Sequence, residues 1–171
     1  SELIQIINST EMIIELDIAL LACYFPLMDS LYLSQKLSVY ESDSNLFNDL
    51  IIVQIKEPLR ERQILIDIPT FGEIYDNTSQ VVQKQYEKYP YPKWRYCRTN
   101  VPLSISDAIN SGISPNSTNL DFPTNPDTLI AGCGTGLHVF RANYINSNIL
   151  AVDLSCTSLA YAKRKTMEAG L

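Results

Sequence analysis

The chain has 171 residues, 46% of them hydrophobic, and a net charge of −6 from 13 Lys and Arg against 19 Asp and Glu. Such a composition is that of a globular chain long enough to bury a sizeable core. The acidic balance argues against nucleic acid as a partner, because affinity for phosphate backbones rests on clustered Lys and Arg.

Helical spacing dominates the first part of the chain. Between Glu2 and Cys23 the apolar residues Ile13, Leu16, Leu20 and Cys23 fall on one stripe, and Ser9 or Thr10 is placed to cap a helix. Ile18 to Phe25 is apolar but too short to cross a bilayer, is preceded by Glu15 and Asp17, and is ended by Pro26, so it reads as a buried helix. Leu46 to Ile55 and Glu57 to Ile66 are further helical stretches, with Pro58 suited to a first helical turn. No clean repeat period emerges. Residues 1–75 are therefore expected to form a helical region without chemistry of its own, whose default role is to pack or to hold a protein partner.

Residues 76–125 differ in character. A polar link, Asp76-Asn77-Thr78, leads to a short helix expected from Ser79 to Lys88, then to a run containing Tyr86, Tyr89, Pro90, Tyr91, Pro92 and Trp94. Lys84, Lys88, Lys93, Arg95 and Arg98 flank it. The prolines hold themselves and the residues before them extended, so the rings are presented with little freedom. Tyr86, Tyr91 and Trp94 are the candidates for a pocket wall or lid; the alternative is a strap packed on the helical region. Asn100 to Asn125, rich in Ser, Asn, Pro and Asp, reads as a connector with a helical turn at Ile105 to Ile109.

Residues 126–171 carry the chemistry. The apolar run Leu129-Ile130-Ala131 leads into Gly132-Cys133-Gly134-Thr135-Gly136, and after a helix-length segment Ile149-Leu150-Ala151-Val152 leads into Asp153. Strand, glycine turn, helix, and a second strand ending in a carboxylate make a βαβ unit for a nucleoside. Asp153, about twenty residues past the first glycine, is placed to accept hydrogen bonds from ribose hydroxyls. The helix is expected to start at Thr135 or Gly136. A dinucleotide fingerprint, GxGxxG, would need glycine at position 137, where Leu137 stands, and no GxxxxGK[ST] phosphate loop is present.

On these motifs the chain resembles the class I S-adenosylmethionine-dependent methyltransferases. Leu129 to Gly136 (LIAGCGTG), Ala151 to Ser155 (AVDLS), Ser158 to Lys165 (SLAYAKRK), Gln85 to Trp94 (QYEKYPYPKW) and Glu57 to Arg62 (EPLRER) are similar to a bacterial subgroup often fused to tetratricopeptide repeats. The resemblance implies an α/β fold, the first βαβ unit of a Rossmann-like sheet behind a helical N-terminal region. It implies S-adenosyl-L-methionine as cofactor, held by Gly132, Cys133, Gly134, Thr135, Gly136, Asp153 and Leu154. It also implies methyl transfer by in-line displacement to an acceptor, small molecule or protein, that the sequence does not identify. The family often has an acidic residue two positions before the first glycine; this chain has Ile130.

No catalytic residue is assigned. His138, the single histidine, is expected to pack or face solvent, and Lys163-Arg164-Lys165 is expected to be a solvated helix face. Cys23, Cys97, Cys133 and Cys156 form no CxxC pair, so no metal site is expected. Scattered thiols fit a reducing cytoplasm. With only two strands, and a first residue other than methionine, the chain is expected to be a segment of a longer enzyme, incomplete and inactive alone. Two other classes stay open: a noncatalytic helical interaction module, and a fragment of a nicotinamide-dependent oxidoreductase.

Overall fold

Among the described residues, helices come first and both strands follow residue 126, the order that the apolar spacing predicts. The computed structural model describes residues 13–97, 103–112, 122–142 and 146–171. Contacts divide it into two units, Ser1–Gln63 and Ile64–Leu171.

The first unit contains α1 (Glu15–Ala22), a 3₁₀ turn (Leu27–Asp29), α2 (Leu31–Ser38), α3 (Asn45–Ile51) and a π turn (Ile52–Lys56), and α4 (Glu57–Ile66) begins in it. Serine caps start two of the helices: Ser30 Oγ accepts from the Leu33 N–H at 3.3 Å, and Ser44 Oγ from the Phe47 N–H at 3.4 Å. Ile18, Leu21, Leu27, Leu33, Leu37, Phe47, Ile51 and Ile55 form the core. Tyr40 meets Phe47 edge to face at 6.0 Å and donates its hydroxyl to Glu15 at 3.0 Å.

Two sequence expectations change here. Of the stripe of Ile13, Leu16, Leu20 and Cys23, only Ile13 packs against the core. Leu16, Leu20 and Cys23 are exposed, and α1 buries Ile18 and Leu21 instead. Its apolar residues surround the helix, so spacing alone does not select a face and packing decides. The two stretches expected on either side of Lys56 run on as helix through the π turn, where the Glu57 N–H donates to the Ile52 carbonyl. Pro58 lies in the first turn of α4 and has no N–H to return, and the widened turn lies directly ahead of it. The Ser9 and Thr10 caps fall outside the described residues.

The second unit is mixed helix and strand: α5 (Asn77–Lys88), α6 (Ile105–Gly112), β1 (Asp127–Ala131), α7 (Leu137–Arg141), β2 (Asn148–Val152) and α8 (Cys156–Glu168). The strands pair in parallel, from Asp127 opposite Asn148 to Ala131 opposite Val152. Parallel pairing requires a crossover between the strands, and α7 lies in it. Side chains alternate in exposure along both strands, and Leu129 and Leu150 are 64% and 63% exposed on the open face. Helix α5 begins two residues before the expected Ser79, because Asp76 caps it by accepting from the Ser79 N–H at 2.7 Å. That bond holds the Asp76 carboxyl below the usual range.

Among the described residues no helix is long and apolar enough to cross a membrane. Leu37→Ala removes a fully buried side chain from the first unit and is expected to cost about 2–5 kcal/mol, read as a lower urea midpoint with an unchanged slope.

Candidate functional site

Where β1 ends, the chain reverses through Gly132, Gly134 and Gly136, whose φ values are 69°, 53° and 86°. The end of β2 holds this turn. The Gly132 and Cys133 N–H groups both donate to the Val152 carbonyl, at 2.8 and 3.1 Å, and the Gly136 N–H closes the turn onto the Cys133 carbonyl at 3.0 Å. Asp153, the first residue past β2, accepts from the Gly134 N–H through Oδ2 at 2.8 Å and from the Ser155 N–H through Oδ1 at 2.9 Å. Each carboxylate oxygen has a further lone pair. One half-buried side chain thus joins the glycine turn to the turn that opens α8.

The glycines do different work. A Cβ at Gly136 would stand 2.6 Å from the Cβ of Ala162, so this glycine lets the start of α7 rest directly on α8. At Gly132 a Cβ would meet nothing within 4 Å, and at Gly134 only the Tyr91 carbonyl at 3.8 Å. The turn therefore borders open space at Gly132, while Gly134, bonded to Asp153, lies against the Tyr91 backbone.

The aromatic and proline segment crosses the other side of the same turn. Thr135 is buried; its Oγ1 donates to the Pro92 carbonyl at 2.6 Å, and its own carbonyl accepts from Trp94 Nε1 at 3.1 Å. The Trp94 ring meets Phe140 of α7 edge-on at 4.9 Å and Tyr161 of α8 at 6.0 Å, and the Tyr161 hydroxyl donates to the Trp94 carbonyl. Trp94 thus packs into the βαβ part. The ring of Tyr91 is 73% exposed and that of Tyr86 is exposed on α5; Tyr91 reaches the turn through its backbone.

The expectation of a solvated Lys163-Arg164-Lys165 face is corrected at two of its three positions. Lys163 is exposed, but Arg164 and Lys165 are only 3% and 7% exposed. Arg164 lies over the Tyr161 ring at 4.9 Å and pairs with Glu168; Lys165 Nζ donates to the Arg95 carbonyl at 3.0 Å and to Glu168 at 2.9 Å, 5.4 Å from the Trp94 ring centre. The charged ends themselves lie over aromatic faces and are paired with Glu168, which is how cations come to be buried. Burial would raise the Glu168 carboxyl, but hydrogen bonds from Lys165 and Arg164 outweigh it and bring it below the usual range.

Helix α5 grips the start of α8. Glu87 accepts from the Cys156 N–H at 2.6 Å, from the Thr157 N–H at 3.3 Å and from the Thr157 hydroxyl; Gln83, one turn earlier, donates to the Leu154 carbonyl at 3.0 Å. Neither residue was singled out from sequence, since each partner lies about seventy residues away with no local pattern to mark it.

Gly132, Gly134 and Asp153 come together at the open side of the turn. Cys133, Thr135 and Gly136 are buried beneath it, and Leu154 is exposed at its edge. Burial pushes the Cys133 thiol up to about 11, with the nearby Asp153 charge adding to it, so it is a thiol at neutral pH. His138 is exposed. Among the described residues no group of three or more His, Cys, Asp and Glu is arranged to hold a metal ion. Comparison of the chain with family models, with curated proteins and with solved structures finds no match.

Two outcomes follow from this geometry. Gly136→Ala is expected to destabilise the protein by more than the roughly 1–3 kcal/mol of its backbone conformation alone, because of the Ala162 contact, and thermal unfolding measures it. Iodoacetamide at pH 8 is expected to label exposed Cys23 and leave Cys133 untouched until denaturant is added, read by peptide mass spectrometry.

Proposed function

We propose that the second unit carries the first βαβ unit of a Rossmann-like sheet and binds S-adenosyl-L-methionine for methyl transfer. The observation that carries this proposal is the contact between the glycine turn and Asp153, with open space beside Gly132. The residues present fit the cofactor's nucleoside. After its two backbone bonds, the Asp153 carboxylate retains one lone pair per oxygen, matching the two hydroxyls of a ribose. Gly132 and Gly134 let the main chain lie close to a ligand.

In this reading Asp153 orients the ribose, the turn carries the remaining backbone approach, and Gly136 sets the distance between α7 and α8. Trp94 and Thr135 hold the turn from behind and exclude water from it. The cofactor itself would supply a methyl group on a sulfonium, already electrophilic, so the protein's part is orientation and desolvation. The methyl acceptor, a small molecule or a protein, is chosen by residues outside this constellation. Four cysteines outside any disulfide, one of them a neutral buried thiol, are in keeping with a reducing cytoplasm.

Isothermal titration of the full-length protein with S-adenosylhomocysteine and with NAD tests the proposal. The wild type is expected to bind S-adenosylhomocysteine in preference to NAD, and Asp153→Ala to weaken that binding about ten- to a hundredfold through lost charge-assisted hydrogen bonds. A preference for NAD, or an Asp153→Ala variant that folds and binds as wild type does, overturns it.

A further inference from the structure

We infer that Glu87 on α5 is a positioning residue for the ribose-binding carboxylate, an inference that rests on the proposed cofactor site and names a part of it outside the glycine turn. A helix start leaves its first N–H groups without partners in the helix. In α8 they are divided between two side chains: Ser155 Oγ accepts from the Ser158 N–H at 3.0 Å, and Glu87 accepts from those of Cys156 and Thr157. Gln83 holds the Leu154 carbonyl. Two α5 side chains, one turn apart, thus grip the chain on both sides of Ser155.

The N–H of Ser155 is the group that fixes Asp153 Oδ1. The order of dependence runs from Glu87 and Gln83 to the Leu154–Thr157 turn, from there to the Ser155 N–H, and so to the direction of the Asp153 lone pairs. A carboxylate serving two adjacent hydroxyls tolerates misalignment of only about 10–20°. Release of the turn therefore acts on ribose recognition, although Glu87 itself is committed to peptide groups of α8. Its negative charge at the α8 N-terminus also suits the helix dipole.

The test pairs ligand and residue. Wild type, Glu87→Ala and Glu87→Gln are titrated with S-adenosylhomocysteine and with its 2′-deoxyribose analogue. Wild type is expected to favour the ribose form. Glu87→Ala is expected to bind S-adenosylhomocysteine about tenfold more weakly and to lose most of that preference, while Glu87→Gln, which keeps an acceptor oxygen, restores much of both. If Glu87→Ala retains the full preference, or weakens both ligands equally as general loosening would, the inference fails. Wild type that binds neither ligand, or does not discriminate between them, overturns the cofactor site itself. Should Glu87→Ala not fold, Gln83→Ala, which frees only the Leu154 carbonyl, carries the same comparison and the same outcomes.

Discussion

Where two parallel strands end side by side, the sheet ladder stops and the next peptide groups have to find partners in the turns. In this protein the Val152 carbonyl and the Asp153 carboxylate satisfy the turn after β1, and the same carboxylate satisfies the turn after β2. A buried or half-buried N–H left without a partner costs about 1–3 kcal/mol, so replacing this one side chain affects two turns together. Structure and proposed binding depend on the same four oxygen lone pairs. Two are used in holding the backbone and two are left for the proposed ribose, which is why the position suits a carboxylate and an amide would serve it less well.

Around that point the second unit is tied by long-range contacts rather than by a large apolar core. The first unit buries a continuous cluster of aliphatic side chains. In the second, Trp94 lies between the turn, α7 and α8, with its nitrogen, ring and carbonyl all engaged. Lys165 adds its ammonium beside the ring and ties the following carbonyl. The aromatic segment is thereby a strap across the back of the glycine turn, while Tyr86 and Tyr91 present their rings to solvent. Within one short stretch, then, adjacent aromatics have opposite situations.

Much of this unit was legible in the sequence because its signals are local. Apolar runs flanking a glycine turn mark β1 and β2, and the spacing from Gly132 to Asp153 marks the carboxylate at a strand end. Other parts were not legible. The buried face of α1 depends on packing, because apolar residues occur all round it. Arg164 and Lys165 look like solvent-facing charges unless the positions of Trp94, Tyr161 and Glu168 are known. Glu87 has the ordinary appearance of an exposed helical glutamate, and only the fold brings it to the α8 N-terminus. In each case the deciding partner is distant in sequence, and composition carries no record of it.

The contact between Gly136 and Ala162 has a consequence for how this protein can change over evolutionary time. Both residues occupy one volume, with the missing side chain of one filled by the methyl of the other. Ala162→Gly would open a gap that Gly136, held in a left-handed conformation, is poorly suited to fill. Growth at either position requires α7 and α8 to separate, which moves Phe140 and Tyr161 and with them the Trp94 strap. Substitution at either of these two small residues is consequently confined by the other even though neither carries a functional group.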